Sequence, residues 1–164
     1  SIYKVPIYKI FKSEYWIENL KYLPKKTRET WKQRIDFSND KIDPKQKDFS
    51  DWIQKTTGEM YDYGIKFMAG TDTPLGFLIP GFSLHTELEL LVESGMSELD
   101  ALKSATINPS RYFKMENDLG LIKEGYIADL ILLNKNPLNN IKNTLDIYAV
   151  IKDGEVYKEP LRTD

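Results

Sequence analysis

Apolar positions recur at helical spacing through the middle of the chain, and crowd into short runs near residue 70 and beyond residue 118. Phe49, Trp52, Ile53, Thr56, Met60 and Tyr63 step at i, i+3, i+4 and i+7, which predicts an amphipathic helix of about four turns. Gly58 inside it costs about 1 kcal/mol relative to alanine, and Gly64 suits the left-handed stop. Ile65 to Ala69 follows at once as a short apolar strand that continues through Gly70 and Thr71 to Asp72. Helix, glycine and strand in this order are the αβ half of a βαβ unit.

The segment from Thr73 to Phe82 holds Pro74, Gly76, Pro80 and Gly81 and reads as a loop. Ser83 stands where an N-cap belongs, Leu84, Leu88, Leu91 and Val92 form a stripe, and Gly95 closes the helix. Ser97 with Asp100 resembles a capping box, and Met96 can staple onto Ala101. Asn108-Pro109 predicts an N-cap followed by a proline at the first helical position, opening a short helix that carries Tyr112 and Phe113. After Asp118 the pattern turns to strands: Leu119 to Ile122, a Lys123-Glu124-Gly125 turn, then Ala128 to Leu133. Ile147 to Lys152, Asp153-Gly154 and Glu155 to Tyr157 predict a hairpin with a type I′ turn.

Residues 1–48 are less patterned. Tyr3, Tyr8, Phe11, Tyr15 and Trp16 make the start aromatic, and ordinary packing accounts for them better than a sugar platform. Ser13 can cap a short helix with Trp16, Ile17, Leu20 and Leu23 near one face. Pro24 stops it or opens the next, with Trp31 and Ile35 one turn apart, and residues 38–48 read as a loop.

The chain has 164 residues, enough for one core but short of the roughly 250 of a closed eight-stranded α/β barrel. Twenty-three Lys and Arg against 25 Asp and Glu leave no basic face for nucleic acid. The cluster Lys21, Lys25, Lys26 and Arg28 is offset by Glu18 and Glu29. No run approaches the ~20 apolar residues of a membrane span, so neither nucleic acid nor membrane is an expected partner. Cysteine is absent, which removes disulfides and thiolate metal sites. Ser1 stands where a methionine would, and we read the chain as a piece of a longer one.

Asp72 is the leading candidate for chemistry. A carboxylate at the end of a buried parallel strand is how an α/β barrel presents a side chain at its catalytic mouth. An aspartate that merely caps the following turn is the competing reading. A hydrolytic metal centre needs several imidazole, thiolate or carboxylate ligands around an open position, yet His85 is the single histidine. His85 near a helix start reads first as a packed or helix-terminal residue, then as a substrate contact, and least as a ligand. Asp129, among Ile127, Leu130 and Ile131, reads as a buried structural carboxylate. Thr71 and Thr73 shape the turn around Asp72.

These motifs together resemble the metal-dependent amidohydrolases, nearest the imidazolonepropionase-like and Xaa-Pro dipeptidase-like branch. Ala69-Gly70-Thr71-Asp72-Thr73-Pro74, Pro80-Gly81, Ser83-Leu84-His85 with Glu87-Leu88, and Ala105-Thr106-Ile107-Asn108-Pro109-Ser110 carry the resemblance. Leu119-Gly120, Lys123-Glu124-Gly125, Ala128-Asp129-Leu130 and Val150 to Gly154 complete it, over about residues 49–158. It implies an α/β fold: a partial TIM barrel, being the last barrel unit, in residues 1–117, and the C-terminal strands of a small β-sandwich in residues 118–164. It implies that Asp72 is the strand-eight aspartate, a metal ligand that takes a proton from metal-bound water. The family's histidine pair on strand one, its lysine or glutamate on strand four, and its histidines on strands five and six have no counterparts here.

The implied function is metal-dependent hydrolysis of C–N bonds, non-peptide or in dipeptides, by a full-length enzyme of which this is a C-terminal fragment. Its cofactor would be a divalent metal, zinc, and its partners a small-molecule substrate and the missing N-terminal portion. The isolated chain is expected to hold no metal, to be inactive and to self-associate, because cutting a barrel before its last strand leaves apolar and unpaired backbone groups in water. The alternative is a non-catalytic binding or assembly module that kept the fold and lost the metal site.

Overall fold

The structure is a computed structural model describing residues 14–36, 44–73 and 77–158. Helix α1 (Glu14–Asn19) runs into a 3-10 turn (Leu20–Tyr22), and α2 (Lys25–Asp36) begins just after Pro24. Trp16, Leu20 and Leu23 bury as their spacing predicts, whereas Ile17 stays exposed. They close a small core with Trp31 and Ile79, in which the Trp16 and Trp31 rings stack with centroids 6.4 Å apart. Tyr3, Tyr8, Phe11, Ser13 and the side chains of Tyr15 and Ile35 lie outside the described residues.

Helix α3 (Pro44–Asp62) starts at Pro44, earlier than Phe49, since proline is well placed at a first helical position and its φ suits the helix. Its predicted stripe does not face a core. Trp52 is 59% exposed and Tyr63 88%, and Phe49, Ile53 and Met60 are exposed as well. Periodicity shows that a helix is amphipathic but not what lies opposite its apolar face, and among the described residues nothing covers this one. The inward contacts come instead from Ser50, Tyr61 and Gly58.

Helices α4 (Phe82–Glu93), α5 (Glu98–Ser104) and α6 (Ile107–Tyr112) follow. Leu88 and Leu91 of the α4 stripe are buried with Met96, Ala101 and Ile141, and Tyr61, Phe67 and Ala69 pack against them. Gly64 and Gly95 end α3 and α4 alike. In α4, the Gly95 N–H reaches the Val92 carbonyl at 2.9 Å and the Met96 N–H reaches Leu91 at 3.1 Å. That is a Schellman stop, with Met96 and Leu91 meeting in the core. Ser97 caps α5 as its spacing predicts, its Oγ accepting the Asp100 N–H at 3.1 Å. Asp100 also takes hydrogen bonds from Lys103, Tyr61 and Ser97. These hold its carboxyl down to about 2, Lys103 contributing most, and tie α5 to α3.

Three sequence expectations are corrected. Ser83 lies one residue inside α4, whose N-cap is Gly81; its Oγ accepts the Ile79 N–H at 2.9 Å. Asn108 does not cap α6, which begins at Ile107 after Thr106. Residues 119–122 form turns rather than a strand, with Leu119 N–H bonded to Met115 O at 3.1 Å. The Leu119 N–H is met locally by Met115, just past α6, and among the described residues no strand pairs with this stretch.

Strands β1 (Leu130–Leu133), β2 (Ile147–Lys152) and β3 (Glu155–Lys158) form an antiparallel sheet in the order β1-β2-β3. The β2–β3 turn is type I′, with Asp153 at φ 52° and Gly154 at φ 81°. A 3-10 turn (Ile141–Leu145) links the sheet to the helical core, because Ile141 is buried against Leu88, Leu91, Met96 and Ala101.

Candidate functional site

The segment from Ile65 to Thr71 is not a β-strand in the structure. A strand exists by its ladder, and among the described residues no neighbouring strand pairs with it. The helices satisfy its backbone instead. Asn108 Nδ2 of α6 donates to the Phe67 carbonyl at 2.9 Å, and the Ala69 N–H donates to the Ser104 carbonyl of α5 at 2.9 Å. The half-buried Glu87 of α4 lies near the Gly70 N–H. Burial pushes the Glu87 carboxyl above its usual range, and the nearby Gly70 N–H opposes that rise.

Asp72 follows, exposed and at φ 54°. Left-handed backbone is uncommon for a residue with a side chain, though aspartate tolerates it better than most. Thr71 and Thr73 flank it with hydroxyls 3.5 Å apart, too far for a strong bond. The outcome is a turn that lifts one carboxylate clear of an anchored apolar segment.

His85 points elsewhere. Its Nδ1 lies 2.9 Å from Thr144 Oγ1, and that hydroxyl donates its own proton to the Ile141 carbonyl at 2.8 Å. Thr144 must therefore accept, so Nδ1 carries the ring proton and Nε2 is left as an acceptor. With Lys142 and Glu89 paired at 3.5 Å, this contact fastens α4 to the 3-10 turn before β2. Half-burial lowers the His85 pKa below its ordinary 6.5, so the folded state favours the neutral ring. The resulting stability is complete above about pH 6.5 and is lost as the pH falls through the lowered folded value. His85→Gln, which can still donate to Thr144, is expected to flatten this acid limb in urea unfolding compared at about pH 5 and about pH 8. Equal loss of stability on acidification in both proteins would refute it.

Asp129 is exposed, not buried. Its Oδ1 accepts the Asp153 N–H at 2.8 Å and its Oδ2 takes Lys152 Nζ at 2.6 Å, which together hold its carboxyl below the usual range. The type I′ turn brings Lys152 and Asp153 up to it, so the role is structural, a clasp of the hairpin turn onto the start of β1.

Sequence reasoning missed Asn108 as a support of the Asp72 segment. The part played by Asn108 had no local signal, because its partner Phe67 is remote in sequence.

The amidohydrolase family pattern matches residues 14–157. The chain is 38% identical to ochratoxinase of Aspergillus niger over 102 residues, covering 59% of this chain and 20% of that protein. It is 29% identical to an adenine deaminase of Clostridium botulinum over 110 residues, 65% of this chain and 18% of that protein. Among solved structures it is similar to a Xaa-Pro dipeptidase with methionine bound in its active site. The TM-score is 0.63 at 30% identity, over 82% of this chain and 32% of the dipeptidase. Against the A. niger ochratoxinase structure the TM-score is 0.54 at 33% identity, over 66% of this chain and 25% of that one. The chain thus spans about a fifth of the length of its sequence relatives and a third or less of these solved chains. With a match running from the first described helix to the last strand, the chain belongs to the amidohydrolase family.

Proposed function

We propose that this chain is the C-terminal portion of a longer amidohydrolase that hydrolyses a C–N bond, either a non-peptide one or that of a dipeptide, with Asp72 at the reacting centre. The observation that carries the reading is the presentation of Asp72: an exposed carboxylate on a left-handed turn, at the end of a segment that helices anchor by its backbone. A dipeptidase and a deaminase among the relatives support a C–N bond as the point of attack. In that role Asp72 takes a proton from the attacking water and returns it to the leaving nitrogen. The second ring nitrogen of His85 is our candidate for a substrate contact.

The chain's own donors do not fit a metal centre. Among the described residues no group of three His, Cys, Asp or Glu could hold an ion. A divalent metal, zinc in this reading, would take Asp72 from this chain and its other ligands from the missing portion. Residues 1–117 would complete the barrel and residues 118–164 the β-sandwich. Ile131, Val150 and Tyr157, cross-strand neighbours that all stay exposed, would be covered by sandwich strands from elsewhere in the parent protein. Without that cover the chain would self-associate.

The test is reconstitution. Dialysed against zinc, the chain alone is expected to retain less than one ion per molecule and to show no turnover. Refolded with the missing portion, it is expected to gain both. One tightly held ion on the isolated chain would sink the shared-site reading. A reconstituted protein that still binds no zinc and shows no turnover would favour the non-catalytic module.

A further inference from the structure

Two apolar cores stand among the described residues, and α4 reaches both. Its first residue, Phe82, packs against the core of Trp16, Leu20, Leu23, Trp31 and Ile79. Leu88 and Leu91, farther along the helix, lie in the other core, against which Phe67 and Ala69 pack. The chain runs past Phe67 and Ala69 to Asp72 and then returns along α4, so the start of α4 lies at the Asp72 end of this layer. Helices α1 and α2 are fastened at that same end. Ile79 is buried among their side chains, the Phe77 ring meets Trp31 with centroids 5.4 Å apart, and Tyr22 stacks on Phe82 at 5.2 Å. Phe77 follows Asp72 by five residues, a reach of at most about 18 Å, which limits how far these helices can stand from the carboxylate. Phe77 also holds φ 66°, a left-handed conformation that bulky side chains rarely adopt. Such a conformation persists where surrounding contacts over-determine it, and the Trp31 ring is one of those contacts.

We propose that α1 and α2 form a wall of the substrate pocket beside Asp72, with Tyr22 as a specificity-determining residue on that wall and Phe77 as the positioning residue that holds it. This rests on the reading of Asp72 given above. In a closed α/β barrel the segments that follow the strands build the catalytic mouth. Phe77 to Gly81 belong to the segment that follows Asp72, so whatever packs onto them stands at the mouth too. Trp16, Leu20, Leu23 and Trp31 are used up in the core, whereas Tyr22 stays 53% exposed after stacking on Phe82. A ring held in place on one side and open on the other offers an apolar surface at little cost in side-chain freedom. The substrate feature that it would read is an apolar or aromatic substituent near the bond attacked.

The experiment uses the full-length enzyme and substrates paired by one substituent, Gly-Pro with Phe-Pro and acetamide with phenylacetamide. With whichever pair the wild type turns over, Tyr22→Ala is expected to raise KM for the larger member about tenfold. Its kcat, and both constants for the smaller member, are expected to stay within about twofold, as when uniform binding is lost. Tyr22→Phe, which keeps the ring, is expected to match the wild type. Phe77→Ala is expected to raise KM for the larger member in the same way. It is also expected to quicken amide exchange over residues 14–36 about tenfold, with peptides from α5 unchanged. A ratio of the two KM values that stays within about twofold of the wild type in Tyr22→Ala would overturn the proposal. So would a Tyr22→Phe variant as impaired as Tyr22→Ala, since the hydroxyl rather than the apolar ring would then matter. Phe77→Ala overturns it as well if residues 14–36 loosen without a change in that ratio, or if their exchange does not change. If the wild type turns over neither pair, or Asp72→Asn keeps the wild-type rate, the reading of Asp72 fails and the wall falls with it.

Discussion

Replacing Asp72 by asparagine in the full-length enzyme is expected to leave the fold intact and to lower kcat by about 10²–10⁴-fold. The fold survives for two reasons. The side chain is exposed, so no buried partner is lost. The backbone sits at φ 54°, a region asparagine occupies as readily as aspartate. On the proposed role of Asp72 the rate is expected to fall, because the amide keeps the shape of the carboxylate without its charge or its capacity to take a proton at neutral pH. Turnover measured alongside a thermal melt separates the two effects. A variant that keeps more than about a tenth of the wild-type kcat at an unchanged Tm would show that Asp72 is not the proton acceptor.

Gly58→Ala is expected to destabilise the protein, against its helix propensity. Propensity alone predicts a gain of about 1 kcal/mol, since Gly58 lies well inside α3. Packing predicts the reverse. A Cβ at position 58 would lie 2.2 Å from the carbonyl oxygen of Ser94, far inside van der Waals contact. That oxygen is backbone and cannot swing aside. Ser94 is pinned at the end of α4, its N–H and its Oγ both bonded to the Leu90 carbonyl, at 3.0 and 2.8 Å. The two helices would have to move apart, at an overpacking cost of about 1–3 kcal/mol or more. The expected outcome is a Tm lowered by about 2–8 °C. A raised Tm would mean that α3 and α4 are not in this contact.

The sequence carried the helices and some of their ends, because those signals are local. The stop at Gly95, the cap at Ser97 and the Asp153-Gly154 turn all depend on residues within a few positions of each other, and each formed as its motif predicts. The buried stripe of α4 was legible for the same reason, with Leu88 and Leu91 both inside. Asp72 could be singled out as a candidate from the order of motifs around it. How it is held could not be read, since the Asn108–Phe67 and Ala69–Ser104 contacts join positions far apart in the chain.

Where the reading of buried faces and paired backbone failed, the missing information was what stood opposite. Phe49, Trp52 and Ile53 have the spacing of a buried face and are exposed, because amphipathicity gives a helix a preferred side but no partner. Residues 65–72 have the composition of a core strand and form none, because a strand's hydrogen bonds belong to its neighbours. Asn108 stands where a cap would suit and instead reaches back to Phe67, because a tertiary acceptor was within range of its amide. Sequence therefore determined the local conformations that a few adjacent residues can satisfy among themselves. Tertiary structure decided which faces were buried and which backbone groups were paired, because burial and pairing each require a second surface that the local sequence does not contain.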